Sequence, residues 1–298
     1  MKSYNLNIAG YIIRFESSAD GPELAPSDRF KRNIVPDNVP DVLIRIHSGI
    51  LKLPEGTKRV FYAPHVEEIN GILIRNSTNF WSVWKFRSEL FICTIFPLSS
   101  PEKNAVLKFS VKEREWDLWI SGAGNEIDPF EYPLDGLILY YLTVIQGDIL
   151  IHASGINISG HGYLFSGVSG RGKSTIAKLW EKSGAKVIHD DRLILRKTEN
   201  GYRMFNTPVY GNDEPRDSIL TKLFIIEHGT ANKLLPVKGA AAVTMVLGNC
   251  IQHHWDPGII SRLLGSVSNM CGLIPTARLF FKPDRSVIDH ILENEGKT

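Results

Sequence analysis

The feature that most constrains this chain is the octet Gly167-Val-Ser-Gly-Arg-Gly-Lys-Ser174. It satisfies the P-loop pattern G-x-x-x-x-G-K-[ST] at every fixed position. Glycines in such a loop let the backbone curl until successive N–H groups line a concave anion site, and the helix that follows adds its positive end. An apolar run, Gly162 to Phe165, precedes the octet, and Thr175 to Ser183 reads as a helix after it. A strand feeding a loop feeding a helix is the setting the motif needs, and it disfavours a plain glycine-rich turn. The pattern therefore predicts that Gly167, Ser169, Gly170, Gly172, Lys173, Ser174 and Thr175 surround a phosphate chain. Lys173 is expected to reach the β- and γ-phosphates of ATP, and the Ser174 hydroxyl to ligate Mg²⁺. Arg171 is either a further phosphate contact or surface charge.

Two carboxylates come next, Asp190-Asp191 in VIHDDRLIL, after room for only one helix and one short strand, Lys186 to His189. Many P-loop NTPases place their metal-binding aspartate after a longer crossover. The compact order here, with His152 in HAS on a preceding strand, resembles the catalytic domain of HPr kinase/phosphorylase. That family belongs to the superfamily shared with ATP-dependent phosphoenolpyruvate carboxykinase. The resemblance spans about residues 148–295 and lies chiefly in LIHASGINISGHGYLFSGVSGRGKSTIAKL and VIHDDRLIL. TPVYG, LFIIEHGTANKLLP and IPTARLFFKPDRS are similar to a divergent HPr-kinase-like branch, some of which serves peptide-modification systems such as lasso peptide pathways. The fold this implies is an α/β (α+β) P-loop kinase core.

Composition sets the outer bounds. The chain has 298 residues, enough for one large domain or two ordinary ones. It is 43% hydrophobic and 22% charged with a mean hydropathy of −0.08, as soluble globular chains are. A net charge of +2 makes no electrostatic case for nucleic acid or an anionic membrane. The start, MKSYNLNIAGYIIRFESS, has no apolar core of a signal peptide, and the greasiest run, Leu137 to Ile145, is too short to span a bilayer. Cys93, Cys250 and Cys271 are scattered and read as reduced thiols. A cytoplasmic protein is expected.

The chain divides by pattern at the polar stretch Ser121 to Pro129. Residues 1–130 read as a mainly antiparallel β domain, and 131–298 as the P-loop domain. Leu6 to Phe15, Val42 to Ile46, Gly71 to Arg75, Leu90 to Phe96, Ala105 to Phe109 and Trp116 to Ile120 are short runs rich in β-branched and aromatic residues. The aromatics around Phe80-Trp-Ser-Val-Trp-Lys-Phe86 and Trp116-Asp-Leu-Trp119 read as sheet core or interface before ligand-stacking surface. Pro133 to Gln146 has helical periodicity, with Pro133 in the first turn. Asp148 to His152, Gly155 to Ile158 and Tyr163 to Phe165 are strand-like runs about a Ser159-Gly-His-Gly162 hairpin turn. Later segments read as strands at Leu193 to Arg196, Tyr202 to Phe205, Leu223 to Ile226 and Arg278 to Phe281. Helices are expected at 239–247, 256–270 and 286–293. Asn206 to Ser218 is polar and turn-rich, a candidate lid. His253-His254 lacks a third ligand at useful spacing, which disfavours metal there.

Successive residues of a regular strand face opposite ways, so the doublet must sit at a strand end or send only one carboxylate to the phosphates. By the resemblance, Asp190 is the general base for a hydroxyl acceptor, Asp191 a Mg²⁺ ligand and His152 an active-site histidine; the aspartate roles are open to exchange. The resemblance further implies Mg·ATP-dependent transfer to a peptide, protein or small-molecule hydroxyl, and self-association. One departure matters. The glycine- and arginine-containing signature with which HPr kinases complete the metal site and grip HPr is absent, and TPVYGNDEPRDS fills that region. Glu227 and Asp213 are nearby carboxylates, but neither matches residue by residue. HPr is therefore not the expected acceptor. A nucleotide-gated binding module and a nucleotide hydrolase compete with the kinase; no N-K-x-D guanine-reading motif favours a GTPase.

Overall fold

A computed structural model describes the chain except at residues 70, 71, 99, 123, 125, 209–212, 254 and 295–298, and at 65–69, 72–79, 100 and 101 it describes the backbone alone. It is a mixed α/β protein of two compact units. Residues 1–142 with 208–214 make the first, and 143–207 with 215–298 the second. The polar stretch at 121–129 lies inside the first unit, and the division between units falls at Leu142/Thr143, inside a helix.

The first unit holds β1 (Ser3–Ile8), β2 (Tyr11–Ser17), β3 (Glu23–Leu24), β4 (Ile34–Val35), β5 (Val42–Ser48), β6 (Lys58–Ile69), β7 (Ile72–Phe86), β8 (Glu89–Phe96), β9 (Ser100–Phe109), β10 (Glu115–Ser121) and β11 (Glu126–Ile127). Among the described residues, nine of these form one sheet ordered β4-β1-β2-β5-β10-β9-β8-β7-β6. One feature departs from expectation. The run from Leu6 to Phe15 is a hairpin, because Ala9 (φ +54°) and Gly10 (φ +79°) form a two-residue turn between Ile8 and Tyr11. The sheet is mainly antiparallel, with β5 pairing in parallel to both β2 and β10. Ile44, Ile46, Val83, Ile92, Leu107 and Leu118 are buried side chains of this sheet.

Helix α1 (Leu134–Gln146) leads to the second unit; it starts one residue after Pro133, which was expected in its first turn. There follow β12 (Ile149–Ile158), β13 (His161–Ser166), α2 (Lys173–Lys182), β14 (Lys186–Thr198), β15 (Gly201–Asn206) and β16 (Asp217–His228). β17 (Lys233–Val237), α3 (Gly239–Leu247), α4 (Pro257–Leu273), β18 (Thr276–Phe281) and α5 (Ser286–Glu293) complete it. The sheet order is β13-β12-β14-β15-β16-β18-β17, and a further parallel pairing of β13 with β16 closes the first five strands into a ring. β13 is thus paired on both edges, which fixes the take-off of the loop it feeds. Asp256 caps α4 by accepting from the N–H groups of Gly258 (2.8 Å) and Ile259 (3.2 Å). No helix among the described residues is long and apolar enough to cross a membrane.

Two apolar clusters flank this sheet. One joins Ile149, Ile151, Leu193 and Leu223 to Val246 of α3 and to Leu263, Val267 and Met270 of α4. The other joins Tyr163, Phe165, Phe224 and Phe281 to Ile176 and Trp180 of α2 and to Ile288 and Ile291 of α5. Trp180 is the anchor of α2, with its ring 5.5 Å from that of Tyr163 and 6.4 Å from that of Phe165. It is 1% exposed. Trp180→Ala is expected to cost about 3–5 kcal/mol, read as a shift in the denaturant midpoint at constant m. A loss below about 1 kcal/mol would show that α2 is not held by this packing.

Candidate functional site

β13 ends at Ser166 and α2 begins at Lys173, so the glycine-rich octet bridges strand and helix as its pattern requires. Gly170 (φ +81°) and Gly172 (φ +91°) occupy the left-handed region, which residues with a Cβ adopt only under strain. Gly172 is doubly constrained, because a Cβ there would lie 2.8 Å from Cζ of Phe281. The Ile176 N–H donates to the Gly172 carbonyl (2.9 Å), the first bond of the helix. Gly172→Ala is expected to weaken nucleotide binding about tenfold or more, checked by titration with ATP, because the loop must shift to relieve that contact.

The loop lines a cavity of about 750 Å³ within the second unit. Gly167, Ser169, Gly170, Gly172, Lys173, Ser174, Thr175, His152, Asp190 and Asp191 all border it. Arg171 does not. The Lys173 ammonium donates to the carbonyls of Gly167 (2.7 Å) and Val168 (3.3 Å). Burial lowers its pKa, and the negative charges of Asp190 and Asp191 pull the other way.

The carboxylate pair is not at a strand end. Lys186 to Thr198 is one continuous strand, and the doublet sits in its middle. Both aspartates still border the cavity. Gly155 pairs with His189 but Ile156 with Val187, so Ile188 is an extra residue, a β-bulge that re-aims the chain just before the doublet. Nδ1 of His189 then accepts from the N–H groups of Asp191 (3.1 Å) and Arg192 (3.2 Å), tying down the backbone beyond the bulge. Because Nδ1 accepts, it carries no proton.

Each carboxylate has its own partners. Asp190 accepts a hydrogen bond on Oδ1 from the hydroxyl of Ser154, its direct cross-strand neighbour, which is wholly buried. Asp191 lies 3.5 Å from Nδ1 of His152 and 3.1 Å from Nε of Arg192. The hydrogen bond from His152, aided by Arg192, holds the Asp191 carboxyl below the usual range against the effect of burial, so it stays ionised.

Three bordering residues carry no motif: Gly248, Asn249 and Cys250. They follow α3 and join the edge of β12, where the His152 N–H donates to the Asn249 carbonyl (3.0 Å) and the Ile251 N–H to that of Leu150 (2.8 Å). Only this non-local pairing brings them to the site. Burial raises the Cys250 thiol pKa, so the thiol is neutral. Glu227 does not border the cavity; it is held by Arg278 at 2.6 Å. Asp213 does not border it either. Arg216 is partly buried, and its guanidinium donates to the Val187 carbonyl (3.4 Å). The candidate lid includes residues 209–212, which lie outside the described residues; its base is closed by the Asn206 N–H to the Arg216 carbonyl (3.0 Å). His253 is buried, and His254 lies outside the described residues.

Among the described residues no three His, Cys, Asp or Glu side chains cluster as a metal centre. The donor set still fits Mg²⁺, which keeps several waters and takes one or two carboxylates plus substrate phosphates in place of an all-protein cage. Ser174, Asp190 and Asp191 are the oxygen donors on the cavity wall that suit it.

No family model matches the chain, and no curated protein matches it. Among solved structures, the Hpr(Ser) kinase/phosphatase from Coxiella burnetii matches at 12% identity with a TM-score of 0.31, over 49% of this chain and 95% of that one. The likeness is a distant structural one.

Proposed function

We propose that this chain is a Mg·ATP-dependent kinase that transfers the γ-phosphoryl group to a hydroxyl, that of Ser or Thr in a peptide or protein. The observation that carries the reading is that a complete P-loop and an aspartate pair border one cavity. Phosphoryl transfer needs cradled phosphates, charge neutralisation and an acceptor whose proton has somewhere to go. The loop N–H groups and Lys173 serve the first need. Lys173 exchanges its carbonyl partners for phosphate oxygens, a gain because an ammonium bonds a charged oxygen more strongly than a neutral carbonyl. Ser174 and Asp191 would hold Mg²⁺, which supplies neutralising charge when bound. Asp190 takes the acceptor proton on Oδ2, since Ser154 occupies Oδ1. The acceptor O–H bond breaks, its oxygen bonds to phosphorus, and the bond from phosphorus to the ADP oxygen breaks. His152 keeps Asp191 charged and oriented.

A purely binding module would have no use for a base beside the phosphate loop, and this favours transfer. The test is incubation with Mg²⁺ and ATP labelled at the γ-phosphate in a lysate of the source cells. Label in a discrete peptide or protein, dependent on the added chain, is the expected result. Label in free phosphate alone would make it a hydrolase; binding without turnover would make it a nucleotide-gated module.

A further inference from the structure

Gly170 and Gly172, the two left-handed glycines of the phosphate loop, are met from outside the loop by one pair of rings. His228 ends β16 and Phe281 ends β18; the strands run parallel with these two residues in register. The Gly229 N–H donates to the Phe281 carbonyl (3.0 Å), locking the two strand ends together. The imidazole stacks on the phenyl ring at 6.4 Å between centroids and 25° between planes. Nε2 of His228 lies 2.9 Å from the Gly170 carbonyl oxygen. A carbonyl only accepts, so Nε2 carries the proton and donates. Phe281 is 1% exposed, and a Cβ on Gly172 would come within 2.8 Å of its ring.

A P-loop binds phosphate only while its N–H groups converge on the anion and its carbonyls turn away. Gly170 borders the cavity, but its carbonyl is engaged by His228, which does not. We propose that His228, steadied by Phe281, is a positioning residue that holds the Gly170 peptide in the orientation that binds phosphate. His228 does not border the cavity; it acts through the loop. Because the loop is a surface turn, an outside tether of this kind keeps it from sampling a conformation with the carbonyl facing the anion. This inference rests on the nucleotide reading above.

The test is calorimetric titration of the full chain with a non-hydrolysable ATP analogue and Mg²⁺. His228→Ala is expected to weaken binding roughly five- to tenfold, the worth of one such hydrogen bond. His228→Gln, whose amide can still donate, is expected to recover most of that loss. In the transfer assay the loss should fall on KM for ATP more than on kcat. Wild-type affinity in His228→Ala, or an equal loss in both variants, would overturn the assignment while leaving the kinase reading intact. No analogue binding by the unaltered chain would overturn both.

Discussion

Asp190→Asn is expected to bind Mg·ATP as tightly as the unaltered chain and to transfer the phosphoryl group about 100-fold more slowly or worse. The amide keeps the shape of the carboxylate, and its oxygen can still accept from Ser154, so the strand and the cavity wall are undisturbed. What it cannot do is take a proton from a hydroxyl. Asp191→Asn should behave differently. Asp191 is already neutralised in part by His152 and Arg192 and stays ionised, which suits a cation ligand better than a base. Its substitution should raise the Mg²⁺ concentration needed for half-maximal transfer. Single-turnover label transfer across a Mg²⁺ series separates the two. Full-rate transfer by Asp190→Asn would remove it as the base, and the opposite pattern in the pair would exchange their roles.

Lys173→Ala is expected to abolish detectable ATP binding. The ammonium is the cationic side chain on the cavity wall, and its present partners are two loop carbonyls. Phosphate oxygens would replace those carbonyls with charge-assisted hydrogen bonds, the stronger kind. Without it, the loop N–H groups face several phosphate charges alone. Titration with ATP decides the matter, and affinity equal to that of the unaltered chain would sink the phosphate-site reading altogether.

Much of the site was legible before any fold was known, because its parts are local. The octet, the strand before it and the helix after it occupy neighbouring positions, and their geometry follows from glycine conformation and helix polarity. The spacing to Asp190-Asp191 was legible for the same reason. What spacing alone misread was how the doublet reaches the cavity. A strand end, or a single carboxylate facing the phosphates, was expected, whereas both aspartates border the cavity from mid-strand, just past a bulge at Ile188 that His189 ties down. The first unit shows the same limit. Leu6 to Phe15 reads as one apolar run, yet Ala9-Gly10 folds it back on itself.

The sequence by itself determined the kind of loop this protein builds, the helix and strand around it, and the carboxylates within reach. These depend on interactions over a few residues, which each segment carries with it. Only the tertiary structure decided that Ser154 meets Asp190, that Gly248 to Cys250 wall the cavity, and that His228 reaches the loop. Those meetings are set by strand register and by the closing pair β13–β16, whose free energy comes from burial shared among distant segments and leaves no local pattern to read.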